Sequence, residues 1–422
     1  MTSESFEGAA EARESNANAD PIREFYTKHP FPPPLENLER ALDLYKDENV
    51  LRSEFHLMWP DREYRADLDI LIAGCGTWQG AKHAITHPDA RVVAVDVSPT
   101  SIEHTQKLKE KYNLTNLEVR ELTIENVADL GRRFDYVICT GVLHHLADPD
   151  AGLRALRNVL KPDGMMYLML YAPYGRTGIY MMQEYCRMLG VGASRQEVDD
   201  LIAALKKVPE FHPVLAAQGG SREFLNSDAL IDVMLNPRDR SYSVPQLFDF
   251  LERNELAFAR WQWQAAYLPQ CGSVARTPHS NRIAALPERE QYAAVELWRG
   301  LMSNHSFVVH RNDANRDGSR IRFDDESYLR YVPIPLPWTT CVQQSIPPGA
   351  AGVLVNQTHV FSDLFIILNE EEKRMVDAID GHRSVSEILE SVKDGGAAPD
   401  AREFFQKLWR HDQVVFDTSR SR

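Results

Sequence analysis

Residues 69–80 read DILIAGCGTWQG. The apolar run that opens this stretch is short and suits a strand buried on both faces. Gly74 and Gly76 follow at once, where the backbone must turn tightly and let a ligand approach the N-terminus of the next helix. Further on, RVVAVDV (91–97) reads as a second buried strand that brings Asp96 to its end. A carboxylate there can accept hydrogen bonds from both hydroxyls of a ribose. Strand, GxG, helix, strand and terminal acid in that order point to a ligand that carries adenosine.

The same alternation runs outward from this stretch. NLEVREL (116–122), FDYVICTG (134–141) and MMYLMLYA (165–172) read as the third, fourth and fifth strands, with KPDG (161–164) turning the chain into the fifth. Ser98-Pro99 and Asp148-Pro149 each pair a capping side chain with proline at the first helical position. Strands alternating with helices imply parallel pairing through right-handed crossovers, an α/β doubly wound, Rossmann-like sheet. Residues 176–250 read as a helical insertion, with MQEYCRMLG and QEVDDLIAALKKV as its clearest helices. Strands at 256–268 and 304–311 then complete the sheet, and the domain spans 67–312. HRNDANRDGSR (310–320) is polar and rich in turn formers, which marks a boundary. Beyond it, 321–422 shows proline-rich strands and then three helices. Two of these open with capping boxes, Asn369/Glu372 and Ser384/Glu387. Short strands with three helices suggest a small α+β, winged-helix-like module.

Composition narrows the function classes. The formal net charge of −14 repels a phosphate backbone, which argues against nucleic acid as a partner. No apolar stretch approaches the ~20 residues a membrane span needs, and the acidic N-terminus has no apolar signal core. Five cysteines without paired spacing fit a reducing, cytoplasmic setting and neither a disulfide framework nor a zinc ribbon. Residues 1–20 carry almost no bulky apolar side chains and read as a disordered tail. In REFYTKHPFPPP, prolines extend a segment whose aromatics Phe25, Tyr26 and Phe31 must dock. We take 21–66 as packing on the next domain or forming a lid over a ligand pocket.

A dinucleotide site prefers G-x-G-x-x-G, but Gln79 occupies the third position and Gly80 comes one residue late. A methionine moiety needs only space beside Gly74 and Gly76. CTGVLHHLADP after FDYVI, with a helix and LKPDG behind it, resembles class I S-adenosylmethionine-dependent methyltransferases over about residues 67–172. The resemblance implies S-adenosyl-L-methionine as cofactor. It assigns Gly74, Cys75 and Gly76 to the methionine part, Asp96 with Val97 to the ribose, and Thr140 and Gly141 to the loop beneath the transferring methyl. Two positions depart from the family pattern. Trp78 stands where many members have glycine. Thr123 stands near the usual adenine-binding acid, so its hydroxyl and the Ile124 amide would read the adenine edge.

Methyl transfer needs a nucleophile in line with the sulfonium, and sometimes a general base. His144 and His145 lie at the mouth implied by the fourth-strand loop and are the catalytic candidates; the other reading packs one of them against the following helix. No third ligand accompanies them, so no metal is expected. Tyr26, Tyr171, Tyr174, Arg176, Asp239 and Tyr242 are substrate-side candidates. HPFPPP, GVLHHLADP, LYAPYGR and NPRDRSYSVPQL look like bacterial methyltransferases with a regulatory domain, a group related to protein-lysine methyltransferases. LNEEEKRMVDAIDGHRSVSEIL is similar to winged-helix modules that bind leader peptides, which implies a protein or peptide partner. The module's other role is structural or dimerising, which leaves a homodimer open. The sequence thus favours methyl transfer to a protein or peptide. A small-molecule O- or C-methyltransferase and a non-catalytic S-adenosylmethionine-binding regulator stand as alternatives, and Gln79 disfavours a nicotinamide oxidoreductase.

Overall fold

A computed structural model of the chain describes residues 20–216, 227–314, 320–392 and 400–421. The tail read at 1–20 therefore lies, except for Asp20, outside the described residues, as does much of the polar stretch at 310–320. Among the described residues, seven strands form one sheet in the order β3-β2-β1-β4-β5-β7-β6. They are β1 (Asp69–Ala73), β2 (Arg91–Asp96), β3 (Leu117–Glu121), β4 (Phe134–Thr140), β5 (Leu160–Tyr171), β6 (Leu256–Trp261) and β7 (Asn304–Arg311). β1 pairs in parallel with β2 and β4, while β7 runs antiparallel to β5. Ile70, Leu71, Ile72 and Ala73 are wholly buried, as a central strand covered on both faces requires. The order reverses between β1 and β4, so the loops after β1 and β4 splay apart and leave a crevice beyond the strands' carboxyl ends.

The helix starts are those the sequence announces. The Ser98 hydroxyl accepts from the Ser101 amide at 3.2 Å and Asp148 from the Ala151 amide at 3.0 Å, each with proline at the first helical position. Two strand readings need correction. β5 starts at Leu160, so KPDG is an irregularity within the strand and not a turn before it. Leu160 faces Phe134 while Met165 faces Tyr136, and Lys161 pins the excess residues by pairing with Asp69 (2.7 Å) and Asp135 (2.8 Å). β6 ends at Trp261 instead of running to 268. Asp412 accepts from the Gln264 and Ala265 amides at 3.2 and 2.9 Å, which holds that stretch in a 3₁₀ turn.

The chain divides into two compact units, and their limits differ from the sequence reading. The first comprises 1–38, 67–259 and 299–312; the second comprises 39–66, 260–298 and 313–422. The lid segment read at 21–66 therefore ends near Leu38. Beyond it the helix Glu48–Met58 buries Val50, Phe55, Leu57 and Met58 within the second unit, and Thr418 donates through its amide and its hydroxyl to the Pro60 carbonyl. Residues 260–298 join the same unit through Asp412.

Within the first unit the helical insertion has its own core. Ile179, Met182, Val198, Leu201, Leu230 and Met234 pack together, and Phe25 of the N-terminal segment packs against them. In the second unit β8 (Val332–Pro335) pairs with β12 (Val414–Asp417), and β9 (Thr339–Val342), β10 (Gly352–Asn356) and β11 (Phe365–Leu368) form an antiparallel sheet. Both capping boxes read from the sequence are made, at Asn369/Glu372 and Ser384/Glu387. The helices Glu370–Asp377, Val385–Ser391 and Ala401–Arg410 bury Met375, Ile388, Phe404, Phe405 and Leu408 in one cluster with Leu354 and Leu368.

Candidate functional site

The first unit encloses a cavity of about 1040 Å³ at the carboxyl ends of β1, β2, β4 and β5. Its volume is at the upper end for a small-molecule site. The floor is backbone. Gly74 and Gly76 adopt φ of +74° and +53°, a region that favours glycine. A Cβ on Gly74 would lie 2.3 Å from a Val142 methyl, and one on Gly76 would lie 2.7 Å from Pro32. The amides of Gly74 and Cys75 both donate to the Val95 carbonyl at 2.9 Å, which turns the Cys75 side chain into the core. Gly80, one place late for a dinucleotide loop, has another use: a Cβ there would stand 2.6 Å from that of Ala94, so it lets its helix sit on β2.

Asp96 lies at the rim. One carboxylate oxygen accepts from the Gly76 amide at 2.8 Å and the other from the Ser98 amide at 2.9 Å. Burial raises its pKa, and the amides of Ser98, Gly76 and Val97 oppose that. A carboxylate oxygen has room for more than one donor, so both oxygens keep a lone pair for a ligand. Val97, Thr123, Ile124, Thr140 and Gly141 also line the cavity, as does Trp78. Gly141 takes a φ of +76° and its amide donates to the Met169 carbonyl at 3.2 Å. The N-terminal segment closes one side. The Thr77 hydroxyl donates to the Pro32 carbonyl at 2.7 Å and that of Ser98 to the Tyr26 carbonyl at 3.0 Å.

The far end of the cavity is built from side chains. His145 reaches it from the 3₁₀ turn after β4, Tyr171 from the end of β5, Tyr26 from the N-terminal helix Pro21–Lys28, and Asp232 from the insertion helix Ser227–Leu235. The Tyr26 hydroxyl donates to Asp232 at 2.8 Å and accepts from Asn236 at 3.0 Å. Burial pushes both tyrosine hydroxyls well above their ordinary pKa and lowers that of His145.

The other sequence candidates do not line this cavity. His144 is wholly buried behind Tyr171, its ring 3.9 Å from the tyrosine's, and neither ring nitrogen has a hydrogen-bond partner. Arg176 lies 3.5 Å from the centre of the Tyr171 ring and pairs with Asp239 at 2.9 Å, so these two support the tyrosine. Tyr174 is 39% exposed on a turn. Tyr242 stacks on Phe250 and borders a separate depression with Arg240 and Arg253. Sequence reasoning missed Asp232 and Arg238. The signal for Asp232 was a lone acid in the apolar run ALIDVML. Among the described residues, no group of three or more His, Cys, Asp or Glu is placed to hold a metal ion.

Comparison with known proteins agrees with this geometry. Residues 71–166 match the model of a methyltransferase domain. An uncharacterized protein of Synechococcus sp. is 29% identical over 255 residues, 58% of this chain and 60% of the relative. A malonyl-[acyl-carrier protein] O-methyltransferase of Acetivibrio thermocellus is 34% identical over 25% of this chain and 36% of its own length. A ubiquinone biosynthesis O-methyltransferase of Cereibacter sphaeroides is 38% identical over 24% and 39%. The chain thus spans less than two thirds of each of these relatives. Among solved structures, PKMT2 from Rickettsia typhi shares the fold, with a TM-score of 0.61 at 14% identity over 88% of this chain and 75% of that one. A second structure of it, in complex with AdoHcy, gives 0.60.

The residues present fit S-adenosylmethionine: a glycine floor that a Cβ would block, a carboxylate at the ribose position with lone pairs to spare, and a volume that leaves space beyond the cofactor. Bound, it supplies an electrophilic methyl group on a sulfonium sulfur. Gly74 and Gly76 would admit its methionine part, Asp96 would hold the ribose, and Thr123 and Ile124 would face the adenine. Residues 71–166, within the unit that holds this cavity, thus form a methyltransferase domain whose cavity suits S-adenosylmethionine.

Proposed function

We propose that the whole chain is an S-adenosylmethionine-dependent methyltransferase acting on a protein or peptide. The observation that carries this reading is the second unit. It builds its own core around Leu354, Leu368, Phe405 and Leu408, which a small acceptor does not require. Three helices following an antiparallel sheet suit the winged-helix-like, peptide-binding role, and the net charge of −14 favours a basic polypeptide over nucleic acid. Among the described residues no helix is long and apolar enough to cross a membrane, and a cytoplasmic setting accords with the five free cysteines.

The reading is tested by transfer of labelled methyl groups into a cell extract, with products separated by size. Label in the macromolecular fraction is expected, and label confined to small molecules overturns the acceptor class. That second outcome would favour the small-molecule O-methyltransferase reading, which the names of the Acetivibrio and Cereibacter relatives support over a quarter of the chain. Cofactor binding without any transfer would leave a regulator.

A further inference from the structure

Two tyrosines line the side-chain end of the cavity, and their hydroxyls are treated differently. The Tyr26 hydroxyl donates to Asp232 at 2.8 Å and accepts from Asn236 at 3.0 Å. Among the described residues nothing hydrogen-bonds to the hydroxyl of Tyr171. A tyrosine that merely packs finds a partner for its oxygen when buried. Tyr171 is half-buried, and its unpartnered hydroxyl keeps accessible surface in the cavity. The unpartnered nitrogens of its neighbours, both of His144 and Nε2 of His145, are sealed off instead.

The ring beneath that hydroxyl is held from several sides. His144 lies against it with ring centres 3.9 Å apart and planes 32° apart. The Arg176 guanidinium lies 3.5 Å from the same ring centre. Two groups so near one centre cannot share a face, so the ring is sandwiched between them, and His145 meets it edge-on at 5.6 Å. Arg176 in turn pairs with Asp239 at 2.9 Å, and Gln183 donates to the same carboxylate oxygen at 2.8 Å. The Tyr171 carbonyl accepts from the Tyr242 amide at 2.8 Å, which fixes the backbone as well. Burying a guanidinium and a carboxylate carries a desolvation cost that apolar packing would avoid, so the ring's position matters more than its burial. Strand register gives that position. Thr140 faces Met169 across β4 and β5, and Tyr171 follows Met169 by one pleat, about 7 Å along the strand, on the same face.

We propose that Tyr171 is a catalytic residue whose hydroxyl accepts a hydrogen bond from the methyl acceptor and aims its reacting atom, and that His144 and Arg176 are positioning residues acting through the tyrosine ring. The hydroxyl works as a neutral group. Burial and then the Asp232 charge raise its pKa well above the ordinary value; Asp239 and Tyr180 add to the rise, and Arg176 opposes it. The other titratable neighbours are neutral too, since burial raises the pKa of Tyr26 and lowers those of His144 and His145. The phenol therefore stays protonated at neutral pH and takes no proton from the acceptor. It offers lone pairs to any acceptor that carries N–H or O–H. Aim is worth more than the bond itself, because a misplacement of about 1 Å costs about 10²-fold. His144 then acts as a plate behind the tyrosine, and its ring nitrogens take no part.

This role rests on the methyltransferase reading, and the experiment separates the two. The full chain and its variants receive methyl-labelled S-adenosylmethionine and a cell extract, and label transferred to either size fraction is counted. Tyr171→Phe should lower the initial rate by about tenfold while S-adenosylhomocysteine affinity stays within about twofold. Its thermal midpoint should not fall, because the lost hydroxyl has no protein partner, whereas Tyr26→Phe loses two bonds and should melt lower. His144→Ala should slow transfer by a similar factor, and His144→Phe, which keeps a ring against the tyrosine, should restore most of the rate. Residues that act as one unit are not additive, so the double variant Tyr171→Phe/His144→Ala should be no slower than its slower parent. The ratio of wild-type to Tyr171→Phe rates should hold constant between about pH 6 and 9. A ratio that climbs with pH would make the group a phenolate base and overturn the neutral role. An undiminished rate in Tyr171→Phe overturns the assignment while the methyltransferase reading stands, and effects that multiply in the double variant overturn the positioning role. Should His144→Ala fail to fold, the rate and melting of Tyr171→Phe decide alone. No transfer by the wild-type protein would sink the reading beneath, and this role with it.

Discussion

The two ends of the cavity are built differently. At the cofactor end, Gly74, Gly76, Asp96, Thr123 and Gly141 each end or follow a strand of the sheet, and much of the contact surface is backbone. At the side-chain-built end, Tyr26 and Asp232 meet across 206 residues of sequence, and His145 depends on the Arg238 carbonyl. The first end is fixed by the sheet's register. The second depends on how the inserted helices pack. Chemistry at strand ends can therefore persist while the side-chain-built end is rebuilt by changing the insertion alone.

If the ends are separable, variants at one should leave the other intact. Asp96→Ala should give the largest effect. Two charge-assisted hydrogen bonds at about 1.5–3 kcal/mol each predict a loss of about 10²–10⁴-fold in S-adenosylhomocysteine affinity. Calorimetric titration checks it, and unchanged affinity would mean that Asp96 serves only to brace the Gly76 and Ser98 amides. His145→Ala should come next, lowering turnover at saturating cofactor by about 10–10²-fold, the worth of one hydrogen bond to a charged group. Cofactor affinity should stay within about twofold. An equal fall in both would break the comparison, because His145 would then be shaping the cofactor end as well.

A smaller effect follows from pH. The folded pKa of His145 lies below its usual value near 6.5, because burial penalises the charged ring. As pH falls through 6.5 the unfolded chain takes up this proton and the folded chain does not, so stability declines from that point downward until the folded pKa is passed. The contribution is at most about 1.4 kcal/mol per pH unit. Thermal midpoints should drop between pH 6.5 and 5, and His145→Gln should drop less. Identical slopes in the two proteins would show that other buried histidines, such as His144 and His83, carry the acid sensitivity.

How much of this was legible followed the same division. The strands of the sheet, Asp96 and both glycines could be read because apolar period, turn chemistry and terminal acid lie within a few residues of one another. His145 was read together with His144 since sequence adjacency could not say which ring lines the cavity; a 3₁₀ turn at 143–145 buries both rings, and only His145 borders the cavity. Asp232 was not read at all, because its meaning arises only when the cluster around Met182, Leu201 and Met234 brings its helix to Tyr26. The unit limits were missed for a similar reason. Asp412, wholly buried, gathers Arg260, Gln264, Ala265 and His359 from distant segments, and no local pattern announces such a partner set.

The N-terminal segment joins the two ends and gives the smallest expected effect. Arg23 donates to the Val97 carbonyl at 3.2 Å and pairs with Glu121, but both side chains of that pair are partly exposed. Exposed pairs are worth about 0.2–1 kcal/mol, so Arg23→Ala should weaken S-adenosylhomocysteine binding by at most about fivefold. The segment stays in place through bonds that the variant does not touch, from Thr77 to Pro32, from Ser98 to Tyr26 and from Thr100 to Thr27 at 2.7, 3.0 and 2.8 Å. Added salt should bring the wild-type protein toward the variant, since the surface pair is screened while the neutral bonds are not. A loss well beyond tenfold that salt does not reproduce would show Arg23 acting on the cofactor directly. The N-terminal helix would then belong to the cofactor end as a binding element, and the division between a backbone-built end and a side-chain-built end would have to be redrawn.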